Sequence, residues 1–180
     1  MAIFLSAGHH NNDPGESGSG YQENKLTIEF RDLVLQVLKS KYPSYKVITD
    51  SDDETLTQYL KRIQTGEGSV VLEIHFDAFN SKAQGCTALI ADKHTELSKK
   101  MGEELTDLTS KILNTSNRGV KTESQSNRGR LALTRKTGTT VLIELEFIDN
   151  PEAMKRYHDN KHWLAEDYAY VLTKYDDLVS

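Results

Sequence analysis

Apolar residues recur along this chain at two spacings, one typical of strands and one typical of helices. Ala2 to Ser6 is a short apolar run that reads as a buried strand, and Gly8 just beyond it frees the backbone to turn. From Asn24 onward, Leu26, Phe30, Leu33, Val34, Val37 and Leu38 return every three or four residues and predict a helix ending near Tyr42-Pro43. Tyr45 to Thr49 reads as a second strand. Asp50-Ser51-Asp52-Asp53 then forms a turn able to cap a helix carrying Leu56, Leu60 and Ile63, which Gly66 and Gly68 end. In Ser69 to Phe76 the residues alternate, with Val70, Leu72, Ile74 and Phe76 on one face and Val71, Glu73 and His75 on the other. A strand at Thr87 to Ala91 precedes a long helix from about Thr95 to Leu113. The polar stretch Asn114 to Arg130 predicts a loop, and Leu131 to Thr134 and Thr139 to Phe147 predict two further strands. Asn150-Pro151-Glu152 starts a helix, with Asn as cap and Pro at the first helical position, and the remainder to about Val179 reads as one interrupted or two short helices.

Strands alternating with helices from end to end predict the α/β class. The expected fold is a single domain over residues 1–180, a twisted, mostly parallel or mixed sheet of about six strands with helices on both faces. A chain of 180 residues can bury a substantial core without crosslinks. Its formal charge of -5 argues against broad attraction to nucleic acid. The single cysteine, Cys86, sits in an apolar run and reads as a small buried hydrophobe, with no intrachain disulfide open to it. No basic leader precedes the first strand, and Ala2 to Leu5 is too short for a signal core or a membrane span. The expectation is a chain made in the cytoplasm, without membrane insertion.

The strand ends carry the chemistry. His9 follows the first strand in a Gly-flanked turn, Glu23 opens the first long helix, and His75 lies near the end of the alternating strand. Two imidazoles and a carboxylate from three separate elements make a ligand set that zinc accepts, with a fourth position left for water or substrate. Spacing alone does not separate this from a core histidine at position 75. In Thr139 to Phe147, Leu142, Glu144 and Glu146 share a face while Val141, Ile143, Leu145 and Phe147 form an apolar one. Carboxylates on such a strand are costly unless they line a polar cavity, and Glu144 is the candidate for moving a proton during hydrolysis.

Five blocks taken together resemble one family. These are Ala7-Gly8-His9 with Asp13-Pro14-Gly15; Glu23; Glu73-Ile74-His75-Phe76-Asp77-Ala78; Asn117-Arg118-Gly119-Val120-Lys121; and Val141 to Pro151. In order and spacing they resemble the zinc-dependent N-acetylmuramoyl-L-alanine amidases of the amidase-3 family. The resemblance implies that His9, Glu23 and His75 hold zinc and that Glu144 is the catalytic acid/base. The reaction it implies is hydrolysis of the amide between N-acetylmuramic acid and L-alanine, with peptidoglycan as partner. Family members of this size resemble endolysin catalytic modules that act on the wall after release, and no wall-binding domain is expected here.

The chain departs from the family pattern in two places. Glu146 stands where the family usually has glycine, and Glu73 where it commonly has a small residue; both are expected to hydrogen-bond the ligand residues or to alter the pH optimum. His10 also competes with His9 for the first ligand position. Two other readings remain open. A metallocarboxypeptidase-like enzyme is disfavoured by the absence of a His-x-x-Glu pair, and a wall-binding relative without activity is disfavoured by the presence of all four residues. Between Asn117 and Lys136, six basic residues face one acid, Glu123, and the expectation is that Arg118 and Arg130 clamp a carboxylate of the peptide stem.

Overall fold

The computed structural model describes residues 2–180. In chain order the elements are β1 (Ala2–Ala7), β2 (Ser17–Gly18), β3 (Tyr21–Gln22), α1 (Glu23–Lys41), β4 (Val47–Thr49), α2 (Leu56–Arg62), β5 (Ser69–Asp77), β6 (Cys86–Ile90), α3 (Glu96–Leu113), β7 (Asn117–Thr122), β8 (Thr139–Phe147) and α4 (Pro151–Val179). Six strands form one mixed sheet in the order β4-β1-β5-β8-β6-β7, and β2 and β3 form a small hairpin apart from it. β4, β1, β5 and β8 run parallel, β6 turns back antiparallel to β8, and β7 runs parallel to β6.

Strand alternation sets the layers. Ile3, Leu5, Val70, Leu72, Ile74, Val141, Ile143 and Leu145 face one side, where α1, α3 and α4 bury Leu26, Phe30, Met101, Leu105 and Tyr168 against them. Phe30, fully buried, meets the Tyr168 ring edge-on at 5.3 Å, a packing worth about 0.5–1.5 kcal/mol beyond its buried area. The opposite face is covered more thinly: Phe4 and Val71 pack against Tyr59 of α2, Ile63 and Leu133. The expected helices on both faces are present, but three long ones lie on one side and a single short one on the other. The parallel strands all end at one edge, so the residues at their carboxyl ends meet there.

Several elements differ from expectation for physical reasons. Leu131 to Thr134 is not a strand. Its alternation is real, since Leu131 and Leu133 are both buried, but β8 already has partners on both sides and offers no free edge. The segment folds into turns instead, with Thr134 Oγ1 donating to Leu131 O at 3.0 Å. Part of the expected loop Asn114 to Arg130 is β7, an edge strand with one neighbour, whose half-exposed residues explain its polar composition. α4 is a single unbroken helix of 29 residues. The cap of α2 is Thr55, in a capping box with Gln58, and not the acidic turn before it. Cys86 is fully buried, its thiol pushed up to about 12 by burial.

Candidate metal centre

His9 leaves β1 through a tight turn that holds its ring in one orientation. Its Nδ1 lies 2.8 Å from Asp13 Oδ2. An ionised carboxylate only accepts, so Nδ1 carries the proton and, with the ring neutral, Nε2 is the nitrogen left to act as a ligand. That Nε2 is buried and has no hydrogen-bond partner, although Glu23 Oε2 lies 3.1 Å away. Burial would raise the Asp13 carboxyl, but the bond to His9 outweighs it and holds the group below the ordinary carboxylate range. His10 points elsewhere: its Nδ1 takes the Asn12 N–H at 3.3 Å and its carbonyl takes the Asn24 side chain at 3.0 Å.

Glu23 is the first residue of α1 and fully buried. Backbone N–H groups fix both its oxygens: Glu16 N donates to Oε2 at 2.9 Å and Phe76 N to Oε1 at 3.0 Å. The same Oε1 lies 2.9 Å from His75 Nδ1. Burial opposes its charge, yet the two imidazoles keep its carboxyl well below the usual range. His75, on β5, has its other nitrogen, Nε2, 3.3 Å from Glu73 Oε1. Burial would lower the His75 pKa; the bonds to Glu23 and Glu73, with the charge of Glu144, carry it up to about 10. The surroundings therefore call for positive charge.

One ligand atom from each of His9, Glu23 and His75 can be chosen so that all lie within 4.8 Å of one another. The two rings stand 5.1 Å apart at 82°. Glycines allow this closeness. A Cβ on Gly8 would run into the His75 ring, and one on Gly15, at φ +64°, would sit 2.6 Å from Glu23 Oε2.

Glu144 lies opposite His75 in the β5–β8 register and is 3% exposed. Its partner is Arg128, which forms an ion pair with it and donates to Phe76 O at 3.3 Å. Neither Glu144 oxygen is in hydrogen-bond geometry with a donor. Burial raises its carboxyl to about 7, against the pull of His75 and Arg128. A pocket of about 150 Å³ opens there, lined by Asp77, Arg118, Lys121, Gln125, Arg128 and Glu144 among others.

The remaining residues singled out from sequence fall in different places. Glu73 touches His75, whereas fully buried Glu146 accepts from Gly85 N at 2.6 Å and from its own neighbour Phe147 N at 3.0 Å, bracing a turn. Arg118 lines the pocket with its guanidinium 5.1 Å over the Phe147 ring, while Arg130 is exposed and outside the lining. Arg135 is taken up by Glu123, and Lys136 by the Leu60 carbonyl. Sequence reasoning assigned no role to Asp13 or Arg128. The four-residue offset from His9 to Asp13 within a turn was a usable signal; nothing local distinguishes Arg128 from the five basic residues around it.

Solved structures of cell-wall amidases share this fold. The crystal structure of an N-acetylmuramoyl-L-alanine amidase from Clostridium difficile 630 matches it with a TM-score of 0.81 at 21% identity, over 98% of this chain and 97% of that one. The catalytic domain of CwlV, such an amidase from Bacillus (Paenibacillus) polymyxa var. colistinus, matches at 0.78 and 19% identity, over 98% and 99%. The protein YqiI of Bacillus subtilis strain 168 is 27% identical over 151 residues, 82% of this chain and 70% of that protein. The family described as N-acetylmuramoyl-L-alanine amidase, Amidase_3, matches residues 3–174, and the chain belongs to it. The reaction class is thus hydrolysis of an amide in peptidoglycan, and the metallocarboxypeptidase-like alternative falls away. Among the described residues no helix is long and apolar enough to cross a membrane.

Proposed function

We propose that this amidase is zinc-dependent, that His9, Glu23 and His75 hold the metal, and that Glu144 moves the proton in cleavage of the bond between N-acetylmuramic acid and L-alanine. The observation that carries this reading is the convergence of the three side chains around a buried imidazole nitrogen, His9 Nε2, that has no partner. Two imidazoles and a carboxylate suit zinc, and the surplus of carboxylates around His75 suits a divalent cation. When bound, zinc supplies Lewis-acid polarisation of the scissile carbonyl and acidifies water. Asp13 fixes the His9 tautomer, and Glu73 orients His75. Glu144 takes the proton of the attacking water and hands it to the departing alanine nitrogen. A carboxyl raised by burial toward neutrality suits both halves of that task. Purified sacculi test the reading: the protein should release soluble fragments and new L-alanine amino termini, lose that activity to 1,10-phenanthroline and regain it with added zinc. Release that ignores the chelator would remove the metal; no release at all would leave an inactive relative.

Arg128 is the cation placed to meet a stem carboxylate beside Glu144, together with Arg118. Arg128→Ala is expected to lower kcat/KM for wall fragments by about tenfold to a hundredfold, the value of one charge-assisted hydrogen bond. Zinc content should not change. Arg128→Lys should recover part of the loss, and kinetics of Arg128→Ala equal to wild type would take this residue out of the site.

A further inference from the structure

A second cavity, of about 260 Å³, opens on the other side of His9, where β1 meets the edge strand β4 and α2. Its walls include Ser6, Asp50, Glu54, Thr55, Leu56 and Tyr59. Apart from His9 and His10, the charged side chains lining it are acids. Arg31 pairs with Asp50 through one oxygen, whereas Arg62 takes both oxygens of Glu54; neither arginine is part of the lining.

Two of the lining groups are poised for a donor. Asp50 accepts from Ala7 N at 3.2 Å and from Arg31 at 3.1 Å, and both bonds fall on Oδ1, which leaves Oδ2 for another partner. Burial carries the Asp50 carboxyl up to about 6 even with Arg31 beside it. Ser6, 2% exposed, keeps a buried hydroxyl with no hydrogen-bond partner. A buried hydroxyl without a partner is costly, and Asp50 Oδ2, which carries no hydrogen bond, is the acceptor left at the same cavity wall.

We propose that this cavity is a subsite for a primary ammonium group of the wall substrate, received by Asp50 and the Ser6 hydroxyl. An ammonium brings three donors and no acceptor, the complement of these groups. The inference rests on the amidase reading only in taking the ligand to be part of peptidoglycan. Sheet order supports it: the cavity lies over β4 and β1, the basic pocket beside Glu144 lies over β8, β6 and β7, and the histidine cluster lies between. A substrate laid across the strands meets acids on one side of the reacting amide and bases on the other. Peptidoglycan offers primary amines in two places: the side chain of the diamino acid in its peptide stem, and a hexosamine that has lost its acetyl group.

Two pairs of probes separate these sources by titration calorimetry at low salt on the intact, zinc-supplemented protein. One pair is L-alanyl-γ-D-glutamyl-L-lysine and its Nε-acetylated form; the other is the β-1,4 disaccharide of glucosamine and its di-N-acetylated form. In one pair the free amine should bind about tenfold tighter than the acetylated partner, as a charge-assisted contact predicts, and the pair that responds names the source. Asp50→Asn should erase that preference. Should Asp50→Asn fail to fold for want of its bond to Arg31, Ser6→Ala carries the test and is expected to shrink the preference severalfold. Equal affinity of free and acetylated forms in both pairs would overturn the subsite. Neither probe requires cleavage, so a failure to digest sacculi would count against the amidase reading and leave this comparison standing.

Discussion

Glu23→Ala is expected to leave the protein without bound zinc and without measurable wall hydrolysis. Glu23 is the hinge of the cluster: one oxygen lies 2.9 Å from His75 Nδ1 and the other 3.1 Å from His9 Nε2, and among the described residues it is the carboxylate that groups with both rings. Losing a group that merely orients a ligand costs about tenfold to a hundredfold in metal affinity, so losing one of three ligands should cost more than about a hundredfold. Two backbone donors, Glu16 N and Phe76 N, would also lose their acceptor. A glutamine is no neutral substitute here, because its amide would turn an NH2 toward one of those N–H groups. Glu23→Asp is the better control, keeping the charge at a shortened reach. Metal content after equilibrium dialysis, read beside circular dichroism to show that the fold persists, decides the matter. Zinc held by Glu23→Ala as tightly as by the wild type would remove this residue from the ligand set.

The fold was legible from the sequence wherever burial and periodicity coincided. β5 and β8 announced themselves because one face of each is uniformly apolar, and the same alternation placed Glu73, His75 and Glu144 on the shared opposite face. α1 and α3 were readable from their apolar spacing. The edge strand β7 was hidden because its side chains are only half-buried and polar, so its pairing with β6 left no apolar signature. Leu131 to Thr134 misled for the converse reason: two buried leucines alternate there, but they plug the sheet face and do not join its edge. At the site, residue types at strand ends pointed to the histidines and glutamates. What no pattern could supply was the reach of Arg128 across the sheet to Glu144, 16 positions later in the chain, since a flexible side chain on an irregular segment obeys no period.

Glu144→Gln is expected to keep the zinc and the fold and to lose roughly a hundredfold to ten-thousandfold in kcat, the range ascribed to a general acid/base. The substitution is nearly isosteric, so the β8 backbone that pairs Glu144 with His75 on one side and Thr87 on the other has no reason to move. What disappears is the titratable carboxyl, which is 3% exposed, carries no hydrogen bond to either oxygen and is pushed by burial to about 7. An amide there can orient water but cannot take its proton. KM should change by no more than a few fold, because the cations Arg118, Lys121 and Arg128 remain around the pocket. Glu144→Asp should fall between the two, since it keeps the proton carrier but withdraws it by one methylene from Arg128 and from the reacting atoms. The measurement is single-turnover release of L-alanine amino termini from a synthetic muramoyl peptide, beside zinc content for each variant. If Glu144→Gln turned over at close to the wild-type rate with its zinc intact, the proton would have to travel through another carboxylate. The one on the same sheet face with a direct contact to His75 is Glu73, at 3.3 Å, and Glu73→Gln would then show the loss instead.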